Sequence, residues 1–200
     1  MKLLLLASAL AGSFAFLPST TTAPAAPQDP QEMAAMMQKA KKYTEPGKNH
    51  EVLKRYLGKW NTEVRFHMGG QATPAEKGTA VWEWLVEGRW LHGTLTGTMM
   101  KRPITTHSFL GYDNMKMSFV ETRVNSVDTA MPHSEGDLTP DGKAMIAYGT
   151  LDEYFTGEHD KMVRYVWRFV SADQIKLEVH DLPIGEENTQ VISIVYNRQK

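Results

Sequence analysis

The segment Ala80-Val81-Trp82-Glu83-Trp84-Leu85-Val86-Glu87-Gly88-Arg89-Trp90-Leu91-His92-Gly93-Thr94-Leu95 decides how the rest of the chain is read. Apolar and polar residues alternate on both sides of Glu87-Gly88, the pattern of two half-buried strands joined by a tight turn. As a two-residue hairpin loop, Glu87-Gly88 sets Val86 opposite Arg89, Trp84 opposite Leu91, Trp82 opposite Gly93 and Ala80 opposite Leu95. Trp82 and Trp84 then share an inner face with a Leu and a Gly. The other face carries Leu85 with Trp90 and Glu83 with His92, a polar pair suited to the outside.

The same period of two extends in both directions. Upstream, Trp60, Val64, Phe66 and Met68 alternate with Asn61, Glu63, Arg65 and His67. Downstream, strands are expected near Ile104 to Tyr112, Met117 to Val124, Ala130 to Leu138, Ala144 to Tyr154, Met162 to Val170, Ile175 to Leu182 and Thr189 to Arg198. With Thr79 to Val86 and Arg89 to Met99 this makes about ten short strands joined by turns with no intervening helices, which predicts an all-β antiparallel up-and-down barrel. Between Val170 and Ile175 a three-residue loop, Ser171-Ala172-Asp173, pairs Phe169 with Ile175, Trp167 with Leu177 and Tyr165 with Val179. A one-residue slip inverts every side chain, so this apolar match puts Tyr165 and Trp167 inside and Arg164, Arg168, Lys176, Glu178 and His180 outside.

The N-terminal part is different in kind. Lys2, the apolar run Leu3 to Ala11 and the small residues beyond it match a secretory signal, so residues 1–25 are expected to be removed and the product exported to the periplasm or beyond. That run is too short to span a bilayer, and no integral membrane segment is expected after its removal. Residues 26–45 form a Pro- and Ala-rich tether and a short amphipathic helix. Asp29-Pro30-Gln31-Glu32 supplies the cap, and Met33, Met36 and Met37 form a stripe that suits either packing on the domain or a partner protein. Residues 46–200 form the barrel domain, preceded by a second short helical stretch from His50 to Leu57.

Composition narrows the function classes. Lys and Arg number 22 against 23 Asp and Glu, so there is no basic face for nucleic acid, and none is expected as a partner. The absence of cysteine excludes disulfides, thiolate zinc sites and Cys nucleophiles. There is no Gly-x-Ser-x-Gly elbow and no His-Glu-x-x-His spacing. The clusters Glu178-x-His180-Asp181 and Glu158-His159-Asp160 read as solvated charge, and no metal site is assigned. Of the seven His, His107 is the one placed to point inward, sharing a face with Phe109 and opposite Thr122 or Val120 across an Asp113-Asn114 turn. Glu121 and Arg123 share the other candidate face with Met117 and Phe119. If that face is interior they are a buried ionic pair, costly unless paired, and a ligand anchor; if exterior they are surface charges.

Several short motifs in order, His50-Glu51-Val52-Leu53 to Leu57-Gly58-Lys59-Trp60, Lys77-Gly78-Thr79-Ala80, Glu87-Gly88-Arg89-Trp90-Leu91, Gly111-Tyr112-Asp113-Asn114 and Tyr196-Asn197-Arg198, resemble the bacterial family known as domain of unknown function 1579. The resemblance covers roughly His50 to Lys200 and implies a lipocalin-like, calycin-type barrel, secreted in many members. Gly58-Lys59-Trp60 also resembles the Gly-x-Trp that opens lipocalin barrels, which implies that Trp60 packs under a basic residue from near the chain end, here Arg198, to close the base. The chain departs from the family at Arg123, where members often carry an aromatic.

These readings lead to a non-enzymatic barrel binding a small apolar or amphipathic molecule, with no cofactor. Trp82, Trp84, Tyr165 and Trp167 are the expected walls and His107, Glu121 and Arg123 the expected polar contacts. Two alternatives are a haem enzyme resembling the nitrobindin-like barrels, with His107 as axial ligand, and a protein-interaction module using the Met-rich helix.

Overall fold

A computed structural model describes residues 29–68, 70–153, 156–182 and 189–200. The expected signal segment, most of the tether, and Tyr154 at the end of one expected strand lie outside the described residues. The described residues divide into two units, 29–39 and Ala40–Lys200. Helix α1 (Pro30–Thr44) begins in the first, with Asp29 Oδ1 accepting from the Gln31 N–H at 2.9 Å, and buries none of its residues. Met33, Met36 and Met37 are all exposed.

In the second unit a six-residue 3-10 helix (His50–Arg55) precedes eleven strands: β1 (Gly58–Met68), β2 (Gln71–Ala72), β3 (Glu76–Val86), β4 (Trp90–Met99), β5 (Arg102–Asp113), β6 (Ser118–Asn125), β7 (His133–Leu138), β8 (Ala144–Glu153), β9 (Glu158–Ser171), β10 (Gln174–Asp181) and β11 (Gln190–Arg198). β1 pairs antiparallel with β3, each strand from β3 to β10 pairs antiparallel with the next, and β11 returns to β1, so ten strands close into an up-and-down barrel with the short β2 outside it. Closure removes the open sheet edges.

The register follows the burial of apolar faces, with local departures at the turns. Trp84 pairs with Leu91, Trp82 with Gly93 and Ala80 with Leu95, but Val86 pairs with Trp90 across a bulge. The turn takes Glu87-Gly88-Arg89, with Gly88 at φ 69°, a left-handed conformation that glycine adopts without strain. Leu85 therefore does not face Trp90. At the β9–β10 turn Phe169 pairs with Ile175, Trp167 with Leu177 and Tyr165 with Val179. That register arises from a pair between Ser171 and Gln174 followed by a bulge, not from a three-residue loop. At the β5–β6 turn Asp113 pairs with Ser118, which sets His107 against Val124 and Phe109 against Thr122, so His107 faces neither Thr122 nor Val120. The turn there runs through Asn114 to Met117, two residues longer than Asp113-Asn114 allowed, with Met117 at φ 55°.

One end of the barrel is plugged. Leu53 and Tyr56, from the 3-10 helix and its C-terminal end, are fully buried. The Tyr56 ring packs against Trp82 (5.3 Å between centroids), Trp167 (5.2 Å) and Phe169 (5.5 Å). Trp60 donates its indole N–H to the Tyr56 carbonyl at 2.8 Å. The Arg198 guanidinium lies 4.0 Å above the Trp60 ring and donates to the carbonyls of Leu57 (2.5 Å), Ala172 (3.0 Å) and Arg55 (3.1 Å). His50 is buried in the same region, accepting at Nδ1 from the Gly47 N–H (3.0 Å) with its ring edge-on to Tyr112.

Candidate functional site

Strict alternation fixes what the interior holds. From β3 and β4 it receives Trp82 and Leu95, from β5 Ser108 and Leu110, from β6 Phe119, Glu121 and Arg123, from β9 Tyr165 and Trp167, and from β11 Ile192, Ile194 and Tyr196. Trp82 lies flat against Gly93, where an added Cβ would stand 2.7 Å from the indole. These residues surround a cavity of about 190 Å³, walled by aliphatic and aromatic groups. Phe66, Met99, Asn125, Leu151 and Ile192 also line a second space of about 330 Å³, so the cavity continues toward the end of the barrel opposite the plug.

Glu121 and Arg123 are interior, which resolves the two faces left open by the sequence. The Arg123 Nε and Nη2 donate to Glu121 Oε1 and Oε2 at 2.7 and 2.6 Å, and the Trp167 indole N–H donates to Oε2 at 3.2 Å. The guanidinium carbon lies 4.6 Å from the Tyr165 ring centre and 5.8 Å from that of Trp167. Exposure separates the two partners: the Glu121 side chain is 2% exposed and the Arg123 side chain 17%. Arg123 lines the cavity, and the carboxylate sits behind it. Burial opposes the charge on Arg123, but Glu121 outweighs it and raises the pKa above the ordinary arginine value. Burial pushes the phenols of Tyr56, Tyr165 and Tyr196 up, so they stay protonated donors.

The structure brings Trp82, Tyr165, Trp167 and Arg123 together around the cavity with Glu121 immediately behind. Two expected contacts are corrected. Trp84 is half-buried on the plugged side of Trp82 and does not reach the cavity lining. His107 is on the outer surface, because Ser108 and Leu110 take the inner positions of β5. There its ring stacks on His92, with Nδ1 and Nε2 sharing a hydrogen bond at 3.0 Å. No histidine among the described residues lines the inner cavity, so the barrel does not offer His107 to an enclosed haem. Glu178 and His180 face outward yet are largely covered, Glu178 accepting from Arg168 at 2.9 Å.

Other residues of the site carry weak sequence signals. Tyr196 alternates with Ile192 and Ile194, a period-two cue to an inner phenol. Thr62 and Tyr56 have buried hydroxyls without a hydrogen-bond partner among the described residues, which only the tertiary arrangement reveals. At the mouth, Lys161 bridges Asp181 (2.8 Å) and Glu153 (3.1 Å), which together hold its pKa above the usual lysine value.

A closed ten-stranded antiparallel barrel with a plugged base and an internal cavity defines the lipocalin-like class. Residues 45–198 match the family described as protein of unknown function DUF1579, and the chain belongs to that family. The crystal structure of Rv2717c from M. tuberculosis superposes with a TM-score of 0.56 at 12% identity, covering 78% of this chain and 100% of that one. An S-type phycobiliprotein lyase, CPES from Guillardia theta, superposes with a TM-score of 0.51 at 12% identity, covering 76% and 93%. Likeness at this identity is likeness of fold. No curated protein matches the chain.

Proposed function

We propose that the protein is a small-molecule binding barrel whose ligand is apolar or amphipathic. The observation that carries this reading is the internal cavity, with aliphatic and indole walls and, among the described residues, two charged ones in its lining, Lys77 and the ion-paired Arg123. Replacing a buried ion pair by apolar residues of like volume is often neutral or stabilising, so a pair kept beside an open cavity fits a role in orienting what enters. The phycobiliprotein lyase likeness agrees with a barrel that handles a small molecule. Export remains part of the proposal, on the strength of residues 1–25.

Nile red titration of the full chain tests the pocket. A blue-shifted, saturable signal is expected, weakened about tenfold or more in Leu95→Trp, which fills the cavity wall. Equal binding by both proteins places the dye outside the barrel and ends this reading. Native mass spectrometry of protein from its own host then looks for retained ligand. Fractionation of that host tests export: a full-length product kept in the cytoplasm sinks it.

A further inference from the structure

The Arg123 guanidinium has a divided set of donors. Nε and Nη2 are committed to the two oxygens of Glu121, at 2.7 and 2.6 Å. Nη1 makes no hydrogen bond to any described residue, and it is not closed off in the protein interior. Since Arg123 lines the cavity while Glu121 is covered, an incoming molecule meets a cationic donor whose charge is already balanced from behind. Tyr196, on the same cavity wall, also has a hydroxyl with no hydrogen-bond partner among the described residues.

The charge balance decides which head group fits. A carboxylate or phosphate placed at Nη1 would leave one net negative charge in an apolar enclosure, and an uncompensated buried charge costs several kcal/mol. A neutral oxygen acceptor takes the free N–H without adding charge, and it satisfies a donor that is otherwise costly to bury. We infer that the pocket selects a neutral molecule: an apolar body whose buried end carries a carbonyl, ether or hydroxyl oxygen held by Arg123, with Tyr196 as a second donor. Glu121 is the residue that sets this selectivity, by cancelling the charge that would otherwise attract an acid. The inner chamber of about 190 Å³ is little larger than the roughly 150 Å³ cavity known to hold one benzene ring. A longer body therefore extends into the wider mouth. This inference rests on the small-molecule reading above.

The test compares two ten-carbon probes of like shape, 2-decanone and decanoate, at pH 8 on the full chain, read by quenching of the cavity indoles Trp82 and Trp167. The ketone is expected to bind about tenfold or more tightly than the acid. Glu121→Gln is expected to shift the ratio toward the acid by at least about the same factor, because the guanidinium is then unbalanced. Independently of any variant, the carbonyl stretch of the bound ketone is expected to fall below its value in hexane, reporting the hydrogen bond. Decanoate binding as well as or better than the ketone, or an unshifted carbonyl stretch, overturns the inference and leaves the small-molecule reading standing. If neither probe binds while Nile red does, this inference fails and the small-molecule reading stands; if none of the three binds, both fail.

Discussion

Arg198 and Trp60 are direct partners across the β1–β11 seam, and the guanidinium of one lies 4.0 Å above the indole of the other. The same arginine donates to three backbone carbonyls that have no strand to serve them, those of Arg55, Leu57 and Ala172. It thus ties the plug, the first strand and the β9–β10 turn to the last strand.

Arg198→Ala removes the stacking contact, worth about 0.5 to 2 kcal/mol, together with charge-assisted hydrogen bonds of about 1.5 to 3 kcal/mol for a well-buried one. The arginine is partly exposed, so a combined loss of about 2 to 4 kcal/mol is expected. Urea unfolding measures it. Arg198→Lys, which keeps the charge but not the planar fork, should recover only part. A midpoint unchanged in Arg198→Ala would show that the seam does not depend on this residue.

The Glu121–Arg123 pair should behave asymmetrically. Removing Glu121 alone leaves a mostly buried cation without its partner and costs about 3 kcal/mol, while Glu121→Leu combined with Arg123→Met should restore much of the loss. A double-mutant cycle by denaturant unfolding reads the coupling. Additive single effects would mean that water, rather than Glu121, solvates the guanidinium.

His50 gives the pH dependence a sign. Burial, then the nearby Arg89, hold its pKa below the usual 6.5, so the unfolded chain takes up its proton first as pH falls. Its contribution is therefore complete above about pH 7 and is lost progressively on acidification below the unfolded value. His180 shifts the same way, through burial and then Arg164. Melting temperature should drop from pH 7 to pH 5, and His50→Asn should flatten that slope. An identical slope in the variant would assign the effect elsewhere.

Gly93→Ala places a methyl group 2.7 Å from the Trp82 ring, against a side chain held by Tyr56 and Trp167. A destabilisation of about 1 to 3 kcal/mol is expected, with a changed near-ultraviolet circular dichroism signal from the displaced indole. An unperturbed spectrum would mean that Trp82 moves freely and does not define the cavity wall.

His107→Ala tests the outward placement. The ring stacks on His92 outside the barrel, so Nile red affinity should match that of the native chain, and a loss of binding would put His107 back at the cavity.

Much of the barrel was legible from alternation alone. The pairs Trp82 with Gly93 and Trp167 with Leu177 follow from matching apolar faces, because only one register buries both strands. What alternation leaves undetermined is parity at a turn whose length is unknown. The Glu87 to Arg89 turn and its bulge shifted one pair harmlessly, whereas the long Asn114 to Met117 turn changed the partner of His107. The facing of β5 was set not by polarity but by Ser108 and Leu110 fitting the inner wall beside Gly93 and Leu91. Glu121 and Arg123 could be named as a pair from their spacing, but their burial depended on strands far along the chain, above all on Trp167 of β9. Tyr56 is the extreme case, since it packs against the cavity indoles Trp82 and Trp167 from the end of a short helix outside the alternating pattern.

The β1–β11 seam has a kinetic side. Every other pairing in the barrel joins neighbours in sequence and can form as a hairpin or meander step, while Trp60 must wait for Arg198 to arrive from the far end of the domain. Closing so long a loop is the slow, entropically costly event in such a topology. A chain still being synthesised, or one cut within β11, therefore exposes the apolar edges of β1 and β10 and has no enclosed pocket. The binding capacity of the barrel switches on as a unit when the last strand docks.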